Sequence, residues 1–306
     1  MDNIRIFAPA TVANVSCGFD AMAFALDNLG DEMVFKKTAA QSVCISKIEG
    51  AKLPFDPHKN AAGVVAALML EESKANFGVD IEIFKKFKPG SGLGSSAASA
   101  AGSAFAVNAL LGKPYSNLDL VKFAMQGEVA ACGSAIADNV AACIYGGFVL
   151  IRSYEPLDII AIPSPNQLRV SIIHPQIEIK TEDARKLIPE DLPLKTAIAQ
   201  WANVGGLISG LYESNYKTIA NSLVDLVAEP YRKQGIPHFD ELKTASIEAG
   251  ALGIGISGSG PAVFAFSKGE DSSKEVVKGM NSIYKNTGID YNIHQSQIGK
   301  KGVRLL

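Results

Sequence analysis

The sequence predicts an α+β protein with two domains. Predicted helices and strands interleave along the chain, but several strands follow one another directly, which favours antiparallel or mixed sheets over a doubly wound parallel sheet. The length of 306 residues suits two domains at roughly 150 residues each, and 47% of the residues are apolar, enough for a hydrophobic core. Because Pro163 and Pro165 interrupt the chain, we predict domains over residues 1–162 and 163–306.

Hydrophobic periodicity gives the individual elements. In the first half it predicts strands over 4–9, 32–37, 43–48, 79–83, 146–153 and 158–162, and helices over 60–74, 95–111 and 116–132. In the second half it predicts strands over 168–174, 253–257, 262–267 and 291–298, and helices from 181, over 195–213, 216–228, 239–249 and 273–284.

The most informative segment is the glycine-rich stretch from Pro89 to Ser99, which links a predicted strand to an Ala-rich predicted helix. Glycine allows positive φ and a close approach of the backbone to a ligand. A helix that begins in such a loop directs unpaired N–H groups and its positive dipole end at one point, which suits phosphate. Ser95 and Ser96 fall in the first helical turn. A simple strand-to-helix connector is the alternative, and the spacing is not that of a Gly-x4-Gly-Lys-Ser/Thr loop.

Two further segments contain small and polar residues at chain reversals. Residues 253–258 match Gly-x-Gly-x-x-Gly, but Pro261 and a predicted strand follow where a dinucleotide site needs a helix. A tight turn that lets the backbone approach a ligand or another loop is therefore the better interpretation. The segment from Pro9 to Asp20 places Asn14 and Asp20 in a loop after a strand, where turn formation alone would explain either residue.

Composition excludes several other classes of protein. The net charge of −2 comes from 29 basic and 31 acidic residues without a basic face, which argues against a nucleic-acid partner. The four cysteines form no CxxC pair and the four histidines are scattered, so zinc-site spacing is absent. The N-terminus is not typical of a signal peptide, and the apolar runs are too short for a bilayer, so we expect a cytoplasmic protein without a membrane partner.

Taken in chain order, the three segments resemble the signature motifs of the GHMP small-molecule kinases. The connecting segments 137–141, 181–185 and 229–232 are similar to those of the homoserine kinase family within this superfamily. The resemblance covers nearly the whole chain. It implies a two-domain fold with an N-terminal domain like ribosomal protein S5 domain 2 and a ferredoxin-like C-terminal domain. It also implies ATP-dependent phosphorylation of L-homoserine in threonine biosynthesis by a homodimer.

The resemblance also implies a site for ATP and Mg²⁺. Nucleotide contacts are expected from Asn60, Pro89, Gly90, Ser91, Gly92, Leu93, Gly94, Ser95, Ser96 and Ser259. Ser96 and Glu128 resemble the magnesium ligands, in agreement with the preference of Mg²⁺ for oxygen. For Asn60 and Glu128 the alternatives are a helix cap and a solvated helix residue.

Substrate contacts are implied at Asn14, Asp20, Asn139, Thr181, Arg185, Arg232 and Gly260. Arg185 and Arg232 resemble the pair that binds the substrate carboxylate, which suits the planar guanidinium, and Asp20 resembles the ammonium ligand. Asn139 lies where the reacting hydroxyl is expected, and an amide is no general base near pH 7. We therefore expect catalysis by Asn139, Ser96 and Glu128 without a strong protein base.

One position departs from the pattern. Ile136 stands where many members of the family have a histidine on the substrate side, which leaves the detailed substrate contacts open. A GHMP kinase for another small alcohol, such as mevalonate, shikimate or a sugar, is one alternative. A non-catalytic nucleotide sensor on the same fold is another, although the presence of Ser96, Glu128 and Asn139 favours an enzyme.

Overall fold

The computed structural model describes residues 2–306, apart from the side chains of Cys132 and Thr181. The strands are β1 (Asn3–Ala13), β2 (Met22–Thr38), β3 (Val43–Glu49), β4 (Gly78–Phe84), β5 (Phe148–Tyr154), β6 (Leu157–Ile162), β7 (Leu168–Pro175), β8 (Gly253–Ile256), β9 (Val263–Lys268), β10 (Tyr291–Gln297) and β11 (Arg304–Leu305). The α-helices are α1 (Ala61–Glu72), α2 (Ser95–Leu110), α3 (Asn117–Cys132), α4 (Asp138–Tyr145), α5 (Thr181–Lys186), α6 (Leu194–Glu213), α7 (Tyr216–Ser222), α8 (Glu229–Arg232), α9 (Phe239–Glu248) and α10 (Glu270–Tyr284).

The first sheet has seven strands and is organised by the long strand β2. Its main path runs β11-β1-β2-β4-β3, and β5 pairs with the first residues of β2 before continuing to β6. All pairs are antiparallel except β3–β4, which α1 connects. Helix α2 packs against α1 and α3 and also against β1. Its Ala-, Gly- and Ser-rich sequence permits this close packing, so α2 is buried on almost all sides.

The second sheet has four antiparallel strands in the order β10-β7-β9-β8. In chain order the unit is a strand, several helices, two adjacent strands, the helix α10 and a final strand. This order and connectivity are those of the ferredoxin-like arrangement. The predicted α+β class with mixed and antiparallel sheets is therefore confirmed.

A cluster of aromatic rings joins the two sheets. Phe24 on β2 lies 5.0 Å from Phe148, 5.9 Å from Phe264 and 5.2 Å from Phe266, measured between ring centroids. All four rings are buried, so one continuous core spans both sheets. The end of the chain also connects them, because β11 returns from the second half to pair with β1. The division at residue 163 stays a prediction, and the C-terminal segment crosses it.

Several elements differ from the predicted ones. Strand β1 continues past Pro9 to Ala13, with a register shift against β2 between Pro9 and Thr11. The helix predicted over 216–228 ends at Ser222, because Asp225 accepts backbone hydrogen bonds from residues 227, 228 and 229 and forms a turn before α8. The short helix α4 was not among the predicted helices. Among the described residues, no helix is both long and apolar enough to cross a bilayer.

Candidate functional site

A cleft of about 620 Å³ lies between the glycine loop, the turn after β1, helix α5 and the turn between β8 and β9. Most of the predicted site residues line it, namely Asn14, Asp20, Asn60, Pro89, Gly90, Ser91, Gly92, Gly94, Ser95, Ser96, Glu128, Asn139, Arg185, Arg232 and Ser259. Leu93 is instead buried and Gly260 lies outside the lining, so the structure places neither of them at the surface of the cleft. Thr181 is also a predicted site residue, and its side chain lies outside the described part of the chain.

The glycine loop presents backbone amides to this cleft. Gly90, Gly92 and Gly94 have φ values of 71°, 80° and 67°, a region that strongly favours glycine. Gly94 is the N-cap of α2 and provides no side-chain cap. The first helical hydrogen bond runs from the N–H of Ala98 to the carbonyl of Gly94, so the preceding amides of the helix have no partner within it. The geometry is that of an anion site at a helix N-terminus.

The three glycine-containing segments are joined to one another by hydrogen bonds. The Ser257 hydroxyl donates to the Gly92 carbonyl at 2.6 Å, and the Ala262 amide donates to the Ser91 carbonyl at 3.1 Å. The Thr11 amide donates to the Leu93 carbonyl at 3.0 Å. The turn at 257–260 therefore approaches another loop, as its sequence predicts.

A buried ion pair supports the start of α2 from behind, and sequence analysis missed it. The Lys85 ammonium, with no exposed side-chain surface, pairs with Asp31 and donates to the Ser95 carbonyl at 2.8 Å. Burial raises the pKa of Asp31, while the neighbouring Lys85 opposes that rise. A signal was available: Lys85 continues the inward-facing alternation of Ile81 and Ile83, where an unpaired charge would be costly.

Ser96 and Glu128 form a second polar pair at the mouth of the loop. Glu128, on α3, is 7% exposed and accepts a hydrogen bond from Ser96. Burial raises the pKa of Glu128 to about 7, opposed by this hydrogen bond and by the charge of Lys85. The crowded setting predicted for Glu128 is thus present. The described residues contain no cluster of three His, Cys, Asp or Glu side chains suited to a metal ion.

Asn139 lines the cleft, and both the oxygen and the nitrogen of its side-chain amide are hydrogen-bonded. The Thr11 hydroxyl donates to Asn139 Oδ1 at 2.7 Å, and Asn139 Nδ2 donates to Asp138 Oδ1 at 3.2 Å. Asp138 is almost fully buried and also accepts the Asn139 backbone amide at 2.6 Å. Burial, followed by the neighbouring charge of Asp20, raises the pKa of Asp138 to about 7.

Charged groups of both signs converge at the other end of the cleft. Arg185 Nη2 donates to both carboxylate oxygens of Asp20, at 2.9 and 2.7 Å. Arg232 is 5% exposed and donates to the Gly258 carbonyl at 2.7 Å. The pKa of Arg232 is lowered by burial, while the charge of Asp20 favours its protonated form. Asn14 Nδ2 also donates to the Gly258 carbonyl, at 3.0 Å.

The structure also defines the surroundings of Asn60 and Ile136. Asn60 caps α1, because its Oδ1 accepts the Ala62 amide at 3.1 Å while its Nδ2 donates to the Pro54 carbonyl at 2.9 Å. The capping alternative is thus observed, and the adenine contact stays a prediction. Ile136 lines the cleft as predicted for the position of the family histidine, so an apolar side chain occupies this part of the wall.

Comparisons with known proteins agree with this architecture. The family described as GHMP kinases N terminal domain matches residues 60–147, and GHMP kinases C terminal matches residues 207–286. A homoserine kinase of Chlorobium phaeobacteroides is 45% identical, with 100% of both chains covered. One of Pyrococcus abyssi is 37% identical over 93% of this chain and 94% of the relative. The crystal structure of homoserine kinase from Cytophaga hutchinsonii matches with a TM-score of 0.96 and 44% identity, covering 100% of this chain and 98% of that one.

The contact between the glycine loop and the 257–260 turn leads to a test with two glycines. A Cβ at Gly92 would lie 2.5 Å from the Ser257 carbonyl oxygen, whereas a Cβ at Gly112, whose φ is also positive, would meet nothing within 4 Å. We expect Gly112→Ala to lower the free energy of unfolding by about 1 kcal/mol through backbone strain alone. Gly92→Ala should lower the free energy of unfolding by at least about 2 kcal/mol more than Gly112→Ala does, because the turn at 257–260 must move. Urea unfolding measures both, and equal losses would contradict the contact.

The buried carboxyl of Asp138 predicts a pH-dependent stability. Its pKa is raised in the folded protein, so its stabilising contribution is present at low pH and is lost as the pH rises through about 7. Asp138→Asn keeps the Oδ1 acceptor and removes the ionisation. Between pH 5 and pH 8 the stability of the variant relative to wild type should increase by about 2–3 kcal/mol. Asp191→Asn, at an exposed position, is the control, and an equal change in both variants would contradict the prediction.

Proposed function

We propose that this chain, which belongs to the homoserine kinase family of the GHMP kinases, transfers the γ-phosphoryl group of ATP to the side-chain hydroxyl of L-homoserine. The product would be O-phospho-L-homoserine, in threonine biosynthesis. Family membership supports ATP as the phosphoryl donor. The single observation that carries the choice of acceptor is that the Asp20 carboxylate and the guanidiniums of Arg185 and Arg232 line the same cleft as the glycine loop.

The nucleotide end of the cleft is proposed to work through backbone amides. The unpaired N–H groups at the start of α2 would contact the phosphates, and the buried Lys85 fixes the carbonyl of Ser95 behind them. Ser96 and Glu128 supply two oxygen donors, which fit Mg²⁺ because this ion commonly takes one or two protein groups and completes its shell with phosphates and water. When bound, Mg²⁺ would neutralise charge on the phosphates during transfer. A buried carboxylate is favoured as an anion once a cation lies beside it.

The acceptor end is proposed to bind an amino acid through its two charges. Arg185 and Arg232 would take the carboxylate, and Asp20 would take the ammonium group. A neutral sugar would bring no charged group to this set, and mevalonate, which is a carboxylate, would bring no ammonium group for Asp20, so both are disfavoured as acceptors. Asn14 adds an amide next to Asp20, since its Oδ1 accepts the Asp20 backbone amide at 3.2 Å. The contacts of Thr181 and Gly260 follow from the family resemblance alone.

The chemical step is proposed to depend on orientation. Asn139 would hold the acceptor hydroxyl near the γ-phosphate, and an amide does not take its proton. The proton would therefore pass to the phosphate or to water late in the transfer, which suits a loose transition state with little bond formation to the nucleophile. Ser96 and Glu128 would contribute through the metal ion.

The expected homodimer has a candidate contact face on α6. Leu194, Ile198, Trp201 and Tyr212 are exposed at helical spacing, and a Cβ at Gly205 between them would meet nothing within 4 Å. Lys195 and Glu213 lie near opposite ends of this helix. Antiparallel packing of two copies about a two-fold axis would pair these charges and cover the apolar face. We propose this packing for the dimer, in a cytoplasmic enzyme.

The acceptor is tested by measuring ADP release with homoserine, mevalonate, shikimate, galactose and no acceptor. We expect turnover with homoserine. Arg185→Ala should raise the KM for homoserine at least about tenfold and change the KM for ATP little, because the substrate carboxylate loses a charged partner. Arg152→Ala, an exposed arginine outside the cleft, is the control. Turnover of another alcohol in place of homoserine would overturn the assignment, and nucleotide binding without any turnover would favour a sensor.

The dimer face is tested by light scattering. The wild type should have twice the 32.3 kDa mass of one chain, and Trp201→Glu should give the single-chain mass because a charge would enter the apolar contact. Phe55→Glu, which replaces another exposed aromatic residue, should leave the dimer intact. A wild type with the mass of one chain would contradict the dimer, and a dimeric Trp201→Glu variant would contradict this face.

A further inference from the structure

We infer that Phe19 is a positioning residue whose aromatic ring holds the guanidiniums of Arg185 and Arg232 at the acceptor end of the cleft. The inference rests on the proposed function, in which these two arginines receive the carboxylate of the substrate. Phe19 lies in the segment from Pro9 to Asp20, and neither the fold nor the proposed reaction assigns it a role.

The geometry places both cations against one ring. The Cζ atom of Arg185 lies 5.6 Å from the Phe19 ring centroid, and that of Arg232 lies 5.1 Å from it. Both distances fall within the range of cation–π attraction. The arginines come from α5 and α8, which are distant in sequence, and the Phe19 ring is one contact that both of them share.

Electrostatics explains why such an element is needed. Burial lowers the pKa of Arg232, and the neighbouring charge of Arg185 lowers it further. Asp20 offsets this cost, but its carboxylate is already bonded to Arg185. The negative ring face of Phe19 attracts both cations without being an anion. It therefore does not compete for the ammonium of an amino-acid substrate or repel its carboxylate.

The turn that carries Phe19 fixes the ring and the neighbouring carboxylate together. Asn14 and Asp20 have φ values of 70° and 54°, and the Gly18 amide donates to the Asn14 carbonyl at 2.7 Å. Asn14 Oδ1 accepts the Asp20 amide. Consecutive side chains in this turn thus meet the same guanidinium, since Arg185 contacts the ring of Phe19 and the carboxylate of Asp20. One short segment sets the position of the positive charge.

The experiment first replaces the Phe19 ring and then weakens the negative charge of its face. Phe19→Leu should raise the KM for homoserine about tenfold, with the KM for ATP unchanged within about twofold, and Phe19→Tyr should restore the wild-type value. Fluorinated phenylalanines at position 19 keep the ring shape and weaken its negative face. The logarithm of the KM for homoserine should therefore rise steadily with the number of fluorine atoms. Phe55→Leu, at an exposed phenylalanine, is the matched control for the leucine substitution.

The outcomes separate this inference from the function on which it rests. Wild-type protein that does not phosphorylate homoserine would overturn the proposed function. If homoserine is phosphorylated but its KM is constant across the fluorinated series, Phe19 only fills space and the inference is wrong. An equal rise in the KM for ATP and for homoserine in Phe19→Leu would also overturn it. A steady rise for homoserine alone, in variants with wild-type urea midpoints, supports it.

Discussion

The whole site depends on the close approach of three backbone segments, at positions where there is no room for a side chain. A Cβ at Gly92 would enter the turn between β8 and β9, and one at Gly94 would lie 2.1 Å from the Thr11 hydroxyl and 2.9 Å from Asn139 Oδ1. These contacts bring the end of β1, the start of α2 and the second sheet to one point. The glycines thus do two things at once, since they free backbone amides for an anion and they let the second sheet close one wall of the cleft.

Around this point the protein places charge in an apolar setting and balances it locally. Lys85 and Asp31 neutralise each other behind the loop, which makes removal of either one costly because a buried charge would remain. Burial raises the pKa of Glu128 and that of Asp138 to about 7. Such carboxyls lower the stability of the fold above neutral pH. They are also groups that respond strongly to an arriving cation, as expected in a functional site.

The sequence was sufficient for the fold class and most of the elements, and most of the predicted site residues line the cleft. Alternation marked β4, a continuous apolar run marked β9, and glycine spacing marked the loop before α2. The alternation marks Lys85 as inward-facing, but the ion pair was missed because no local pattern identifies its partner Asp31, 54 residues away. The end of α7 at Ser222 was missed for a related reason. The side chains of Asp225 and Gln200 organise the turn that follows, and hydrophobic periodicity does not report on such hydrogen bonds.

The fixed orientation of Asn139 bears on how the reaction can proceed under the proposed function. Asp138 Oδ1 accepts both the backbone amide and Nδ2 of Asn139, which assigns the amide nitrogen to that side and the oxygen to the Thr11 hydroxyl. The remaining N–H of Asn139 can donate to the oxygen of an acceptor hydroxyl, and Oδ1 keeps a second lone pair. The hydroxyl keeps its own proton free to point at the phosphate. Asn139 would thus orient the nucleophile for attack, and the proton would pass to the phosphate or to water. This is expected when positioning and charge neutralisation, more than a general base, lower the activation barrier.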